Sequence, residues 1–132
     1  MHLSDPTINL LYNACDVGIN TALGEGFGLC NLEQFFLGKP QVVANVGGLK
    51  DIFKSVPFTV EPVASLEVAN HTDGHNGTLY ISRAEDFASK LNLFYANYAD
   101  YAAIASHARL LMQDKYDWQN IRKQLIEYIS MI

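Results

Sequence analysis

The sequence predicts an α/β fold: a partial doubly wound parallel sheet of three strands, followed by C-terminal helices. Three observations point there. Helix-period segments and short apolar runs alternate from residue 3 to residue 62 with short connections, the pattern of parallel strands joined by crossover helices. The run "QVVAN" (41–45) is apolar on both faces at Val42 and Val43, as suits a strand buried in a parallel sheet. From residue 83 onward the apolar spacing is helical throughout.

Taken in order, "SDPTINLLYNAC" predicts a first helix, with Asp5 as its cap and Pro6 at its first position. Ile8, Leu11, Tyr12 and Cys15 fall on one face of it. "DVGIN" (16–20) predicts a strand, and a helix follows over 28–37. Gly38 stops that helix and Pro40 stands just beyond. After the second strand (41–45), Gly47 and Gly48 turn the chain into a short helix over 49–54, and "PFTVEP" (57–62) predicts a third strand. Residues 63–80 break the rhythm. "NHTDGHNGT" is polar and glycine-bearing, so a loop is expected. Helices are expected over 83–131, with Phe87, Leu91, Phe94 and Tyr98 on one face and Ile104, Ala108 and Leu111 continuing it. Asp117 should cap a last helix that shows Trp118, Ile121, Leu125 and Tyr128. All 132 residues read as parts of one domain.

Composition excludes several function classes. Hydrophobic residues make up 49% and charged ones 17%, which provides a core and argues against disorder. The net charge is −5 with no basic run, so nucleic acid is not the expected partner. An acidic small molecule held by backbone amides remains compatible. No run approaches the ~18 apolar residues of a membrane span. The N-terminus "MHLSDPTINL" lacks the regions of a signal peptide, so a cytoplasmic protein is expected. In that setting the sequons at Asn70 and Asn76 are chance matches, and Cys15 and Cys30 are expected as buried free thiols. His2, His71, His75 and His107 have no metal-ligand spacing. Neither a metal nor another cofactor is expected.

The chemistry centres on "GEGFGLCNLEQ" (24–34). A dinucleotide fingerprint would need glycine where Leu29 or Asn31 stands, and the Gly-Lys-Ser/Thr of a P-loop is absent. Yet the loop leaves the carboxyl end of a parallel strand and enters a helix, the place where open α/β sheets bind ligands. The first-turn amides near Gly28, Leu29 and Cys30 suit a diphosphate. Two acids, Glu25 and Glu33, flank that spot, with Glu33 expected on the helix face that looks back to the loop. Acceptors on both sides of a diphosphate suggest a ligand with hydroxyls at both ends, as in a nucleotide sugar.

These residues resemble the donor half of the family 4 retaining glycosyltransferases of the GT-B fold. That pattern has Glu-x7-Glu with Gly-Phe-Gly-Leu after the first acid, then Gly-x-Pro-Val-Val, then Gly-Gly-x-x-Glu. The chain carries Glu25 to Glu33, "EGFGL", "GKPQVVA" with Gln41 inserted, and "GGLKD" with Asp51 for the last acid. The closing "YDWQNIRKQLIEYI" is similar to the family's last helix. The resemblance implies a Rossmann-like nucleotide-sugar-binding domain and a hexosyl transfer with retention; guanosine and uridine donors both occur in the family, and the donor base and sugar stay open, with a slight lean to GDP-mannose. It implies Glu25 as the catalytic-site acid that accepts sugar hydroxyls. Gly26, Phe27 and Gly28 would line the sugar, Leu29 and Cys30 would hold the diphosphate through their amides, and Glu33 would hold the ribose. Phe35 and Phe36 are expected in the core.

The same resemblance implies strands before "DVGIN" that bring an Arg and a Lys to the leaving diphosphate, and a separate acceptor domain. The chain therefore reads as the last third of such an enzyme, inactive alone. Its expected partner is the N-terminal part of the same enzyme or a complementary chain. The strand at 16–20 should then have an unpaired edge beside Val17 and Ile19. Two other classes fit the residues: a binding module that kept the pocket without chemistry, and a structural interaction module.

Overall fold

A computed structural model describes residues 3–69 and 76–131. The elements are α1 (Asp5–Ala14), β1 (Gly18–Asn20), α2 (Leu29–Phe36), β2 (Gln41–Ala44), α3 (Gly47–Phe53), β3 (Thr59–Val60), β4 (Ala64–Ala69), β5 (Asn76–Ile81), α4 (Ala84–Ala96), α5 (Tyr98–Tyr116) and α6 (Trp118–Ser130). His2, His71, His75 and Asn70 of the first sequon lie outside the described residues.

β1, β2 and β3 form the predicted three-strand parallel sheet and lie in it in chain order. β2 is central and buried along its whole length, which explains its two-faced apolar run. Gly18 pairs with Gln41, Ile19 with Val42 and Asn20 with Val43. The register has no break, so Gln41 is an ordinary ladder residue and not a bulge. β1 is an edge strand among the described residues, and Ile19 is 52% exposed there. Val17 instead is partly buried against the core, so only part of the expected edge is bare.

The core is aromatic. Phe35 of α2 meets Phe53 of α3 edge-on at 5.3 Å and Phe58 at 6.0 Å. Phe58 meets Phe94 of α4 at 5.6 Å, and Phe94 stacks on Tyr101 of α5 at 3.9 Å. Phe35 is thus core, as expected, and Phe36 packs against it half-buried. α5 docks on the end of α2, where the Arg109 guanidinium donates to the Phe36 carbonyl at 2.8 Å.

Several expectations change. Residues 63–80 are not simply a loop: β4 and β5 pair antiparallel, from Ala64 opposite Ile81 to Ala69 opposite Asn76. Period-two alternation in "ASLEVA" supports the first strand and the β-prone run "TLYI" the second, and Thr78 donates to Glu67 directly across the ladder at 2.8 Å. The hairpin also reaches the loop after β1, because the Tyr80 amide donates to the Leu23 carbonyl at 2.7 Å. Asp5 is the first residue of α1 rather than its cap. No α1 residue is fully buried; Ile8 and Tyr12 are half-buried, whereas Leu11 and Cys15 are exposed. In α5 the buried face is Ala105, Ala108 and Met112, so Ile104 and Leu111 point largely outward. Asp117 does cap α6, accepting from the Gln119 amide at 2.7 Å. Trp118, Leu125 and Tyr128 of α6 are exposed. Both cysteines are free but exposed, contrary to the burial expected from their apolar neighbours. Among the described residues no helix is long and apolar enough to cross a membrane.

Candidate functional site

The loop between β1 and α2 is held by glycines of two different segments. Gly28 opens α2 with φ 88°, a left-handed conformation that L side chains rarely adopt. No side chain caps the helix there. The first-turn amides of Leu29, Cys30 and Asn31 therefore have no side-chain acceptor, which leaves the positive end of the helix available to an anion. Gly47 and Gly48 provide the second clamp. The Gly48 amide donates to the Glu25 carbonyl at 2.9 Å. A methyl group on Gly47 would strike that same carbonyl, and one on Gly48 would lie 2.6 Å from the Gly26 oxygen. The "GG" after β2 thus exists to let α3 approach the "EGF" backbone.

An open cleft of ≈ 290 Å³ lies along this loop, lined by Asn20, Glu25, Phe27, Gly28, Leu29, Cys30 and Asn31. Five of the seven predicted site residues line it: Glu25, Phe27, Gly28, Leu29 and Cys30. Gly26 lies on the exposed loop between them. Phe27 also meets Tyr116 at the end of α5, ring edge to face at 5.7 Å. Glu25 is half-buried in the loop.

Glu33 is placed differently from expectation. It faces α1, in a second cleft of ≈ 230 Å³ lined by Asp5, Ile8, Asn9, Tyr12 and Leu37. The Tyr12 hydroxyl donates to Glu33 Oε2 at 3.0 Å. It also neighbours the Cys30 thiol, whose residue lines the first cleft. Glu33 lies three residues beyond Cys30, and Tyr12 of α1 meets both of them along that face of α2. Tyr12 was legible only as an apolar-face residue.

Burial, then the nearby Cys30 and Glu33, push the Tyr12 hydroxyl well above its ordinary value of about 10. It therefore stays a donor across the physiological range. Tyr12→Phe is expected to cost ~0.5–1 kcal/mol, a charge-assisted bond discounted for exposure. The folded value is raised, so this contribution is present below about pH 10 and is lost as pH rises through the folded value. Urea melts of both chains at neutral and alkaline pH check it. Equal stability at neutral pH would remove the bond from the account.

Beneath the cleft runs a row of carboxamides. Asn20 donates to Asn31 at 2.8 Å, Asn31 to Gln41 at 2.9 Å, and Gln41 to Gln34 at 3.2 Å. Asn31 and Gln34 are each 6% exposed and Gln41 0%. Gly18 is small for this reason: its added methyl would collide with both Gln41 Oε1 and Gln34 Oε1. None of these amides was predicted as functional. The available signal was a polar Gln41 at the head of a fully apolar strand.

Among the described residues no group of three or more His, Cys, Asp and Glu could hold a metal. Among the described residues, the cleft lining contains no Lys or Arg.

Residues 5–125 match the model of a family described as "Family 4 Glycosyltransferase in conflict systems". The chain is 28% identical over 121 residues to an uncharacterised glycosyltransferase of Methanocaldococcus jannaschii, covering 91% of this chain and 26% of that protein. It is 30% identical over 121 residues to a D-inositol 3-phosphate glycosyltransferase of Rhodococcus opacus, covering 92% of this chain and 23% of that protein. It therefore spans about a quarter of the length of these relatives. With the parallel sheet, the clamped "EGFG" loop and a family match over nearly its whole length, the chain belongs to the family 4 glycosyltransferases, in the family described for conflict systems.

Proposed function

We propose that this chain forms the donor side of a hexosyltransferase that takes a nucleoside-diphosphate sugar and transfers the sugar with retention. One observation carries the reading: Glu25 and the uncapped first turn of α2 line the same cleft. An anion at the amides and a hydroxyl-bearing group at the carboxylate are what a diphosphate sugar offers. In this reading Glu25 takes the sugar hydroxyls, and the backbone of Gly26, Phe27 and Gly28 lines the sugar. The amides of Leu29 and Cys30 hold the diphosphate, and Glu33, ordered by Tyr12, takes the ribose. GDP-mannose is the proposed donor, no metal is required, and the working compartment is the cytoplasm.

A second element of the reading concerns the cleft lining, whose described residues are polar, apolar or acidic. A departing diphosphate needs its charge stabilised. The proposal assigns that work to another segment of the same enzyme or to a complementary chain, and assigns donor binding without turnover to residues 1–132. The same observation favours, as the alternative, a module that binds nucleotide sugars without chemistry. Turnover on adding the complementary part separates the two.

Calorimetric titration tests the roles. Glu33→Ala is expected to weaken free GDP and GDP-mannose alike, and Glu25→Ala only the sugar-bearing ligand. Each loss should be roughly 10- to 150-fold, the worth of one charged hydrogen bond. Equal losses for both ligands in the Glu25 variant would refute its assignment to the sugar. Added chelator should leave every value unchanged.

A further inference from the structure

The carboxamide row has a fixed polarity, and that polarity reaches the cleft. At one end the Ala22 amide donates to Asn20 Oδ1 at 2.9 Å. A backbone N–H can only donate, so Asn20 must present its oxygen there and its nitrogen to Asn31. At the other end the Lys39 carbonyl accepts from Gln41 Nε2 at 3.2 Å. A carbonyl can only accept, so Gln41 must present its nitrogen there and its oxygen to Asn31. Two backbone groups, in β1's exit loop and just before β2, thus orient the carboxamides of Asn20, Asn31 and Gln41. Every oxygen in the row faces the Asn20 end. Each amide that donates becomes a better acceptor, so the row polarises toward Asn20 Oδ1.

Asn20 is half-buried and lines the cleft beside Glu25. Its oxygen has two lone pairs, and Ala22 uses one. The Asn31 oxygen is engaged by Asn20, and Asn31 itself is buried. The side-chain acceptors that this lining offers are therefore Glu25 and Asn20.

We propose that Asn20 is a sugar-recognising residue: its polarised carbonyl accepts a hydroxyl of the donor's sugar beside Glu25, and buried Gln41 is the positioning residue that sets its orientation. This deepens the donor-site reading above and rests on it. It also accounts for four polar groups where apolar side chains would pack at least as well, since buried amides must be fully satisfied to be tolerated.

The test is the ratio of affinities for GDP-mannose and free GDP, measured by calorimetry on the intact chain with GDP-glucose and UDP-glucose as further probes. Asn20→Ala is expected to weaken every sugar-bearing ligand about tenfold and free nucleotide less than twofold. Gln41→Met removes the root of the row without touching the cleft. It is expected to lower the same ratio about threefold, whereas Gln41→Asn, which keeps a shorter carboxamide, should restore part of it. A purely structural row would lower melting temperature and leave the ratio unchanged in all variants, which would overturn the proposal. If the Gln41 variants do not fold, Asn20→Ala alone decides, because that side chain is half-exposed. Wild-type chain that binds neither nucleotide nor nucleotide sugar would overturn the donor-site reading and this proposal together. Binding with an unchanged ratio would overturn this proposal alone.

Discussion

Phe35→Ala is expected to destabilise the chain by ~3–5 kcal/mol, a large share of the ~5–15 kcal/mol that holds an ordinary domain folded. Phe35 is fully buried and joins α2 to α3 and to the segment before β3 through its contacts with Phe53 and Phe58. Removing the ring leaves a cavity between a helix and a sheet that cannot collapse on one another without moving β2. The neighbouring Phe36 is only half-buried, so Phe36→Ala should cost about half as much or less. Urea unfolding followed by circular dichroism measures both. A loss below ~1 kcal/mol for Phe35→Ala would mean that the aromatic cluster does not hold α2 on the sheet.

Gly47→Ala is expected to cost ~2–4 kcal/mol and to displace the Glu25 loop. Two effects add. The residue has φ 46°, where an L side chain costs ~1–2 kcal/mol. Its new methyl would meet the Glu25 carbonyl, a backbone group that cannot rotate away. Gly26 supplies the control, because a methyl there meets nothing within 4 Å. Gly26→Ala should therefore fold nearly as well as the parent. Thermal melts of the two variants decide between a clamp and a generic flexible loop. Equal, small effects would show that α3 does not hold the loop.

What was legible in the sequence was local. Alternating periodicity and the stops at Gly38 and Pro40 marked the parallel sheet, and the side-chain oxygen of Asp117 marked the start of α6. The "EGFG" loop could be placed because its glycines sit between a strand and a helix. What was not legible depended on distant partners. Glu33 meets Tyr12 across 21 residues, so spacing along α2 alone pointed it toward the loop. The carboxamide row joins β1, α2 and β2, and no local pattern ties Asn20 to Gln41. Gln41 read as an insertion against the Gly-x-Pro-Val-Val spacing, and in the sheet it takes an ordinary ladder position facing Gly18. The hairpin was hidden because its polar middle outweighed two short arms, of which only "ASLEVA" alternates. In α5, Ala108 is buried as expected, but Ile104 and Leu111, which have the same core-face spacing, are exposed, and Ala105 and Met112 are buried in their place. Exposed apolar side chains and buried alanines defeat a pattern that counts hydrophobicity alone.

The central claim is that the cleft between Glu25 and the first turn of α2 holds a nucleoside-diphosphate sugar. Titrating isotope-labelled chain with GDP-mannose, and following backbone amide resonances, tests it most directly. The account predicts the largest shifts at residues 25–31 and at Gly48, whose amide rests on the Glu25 carbonyl. Free GDP should move Leu29 and Cys30 but leave Glu25 and Asn20 nearly in place. Shifts confined to α5 and α6, or no shifts at millimolar ligand, would contradict it.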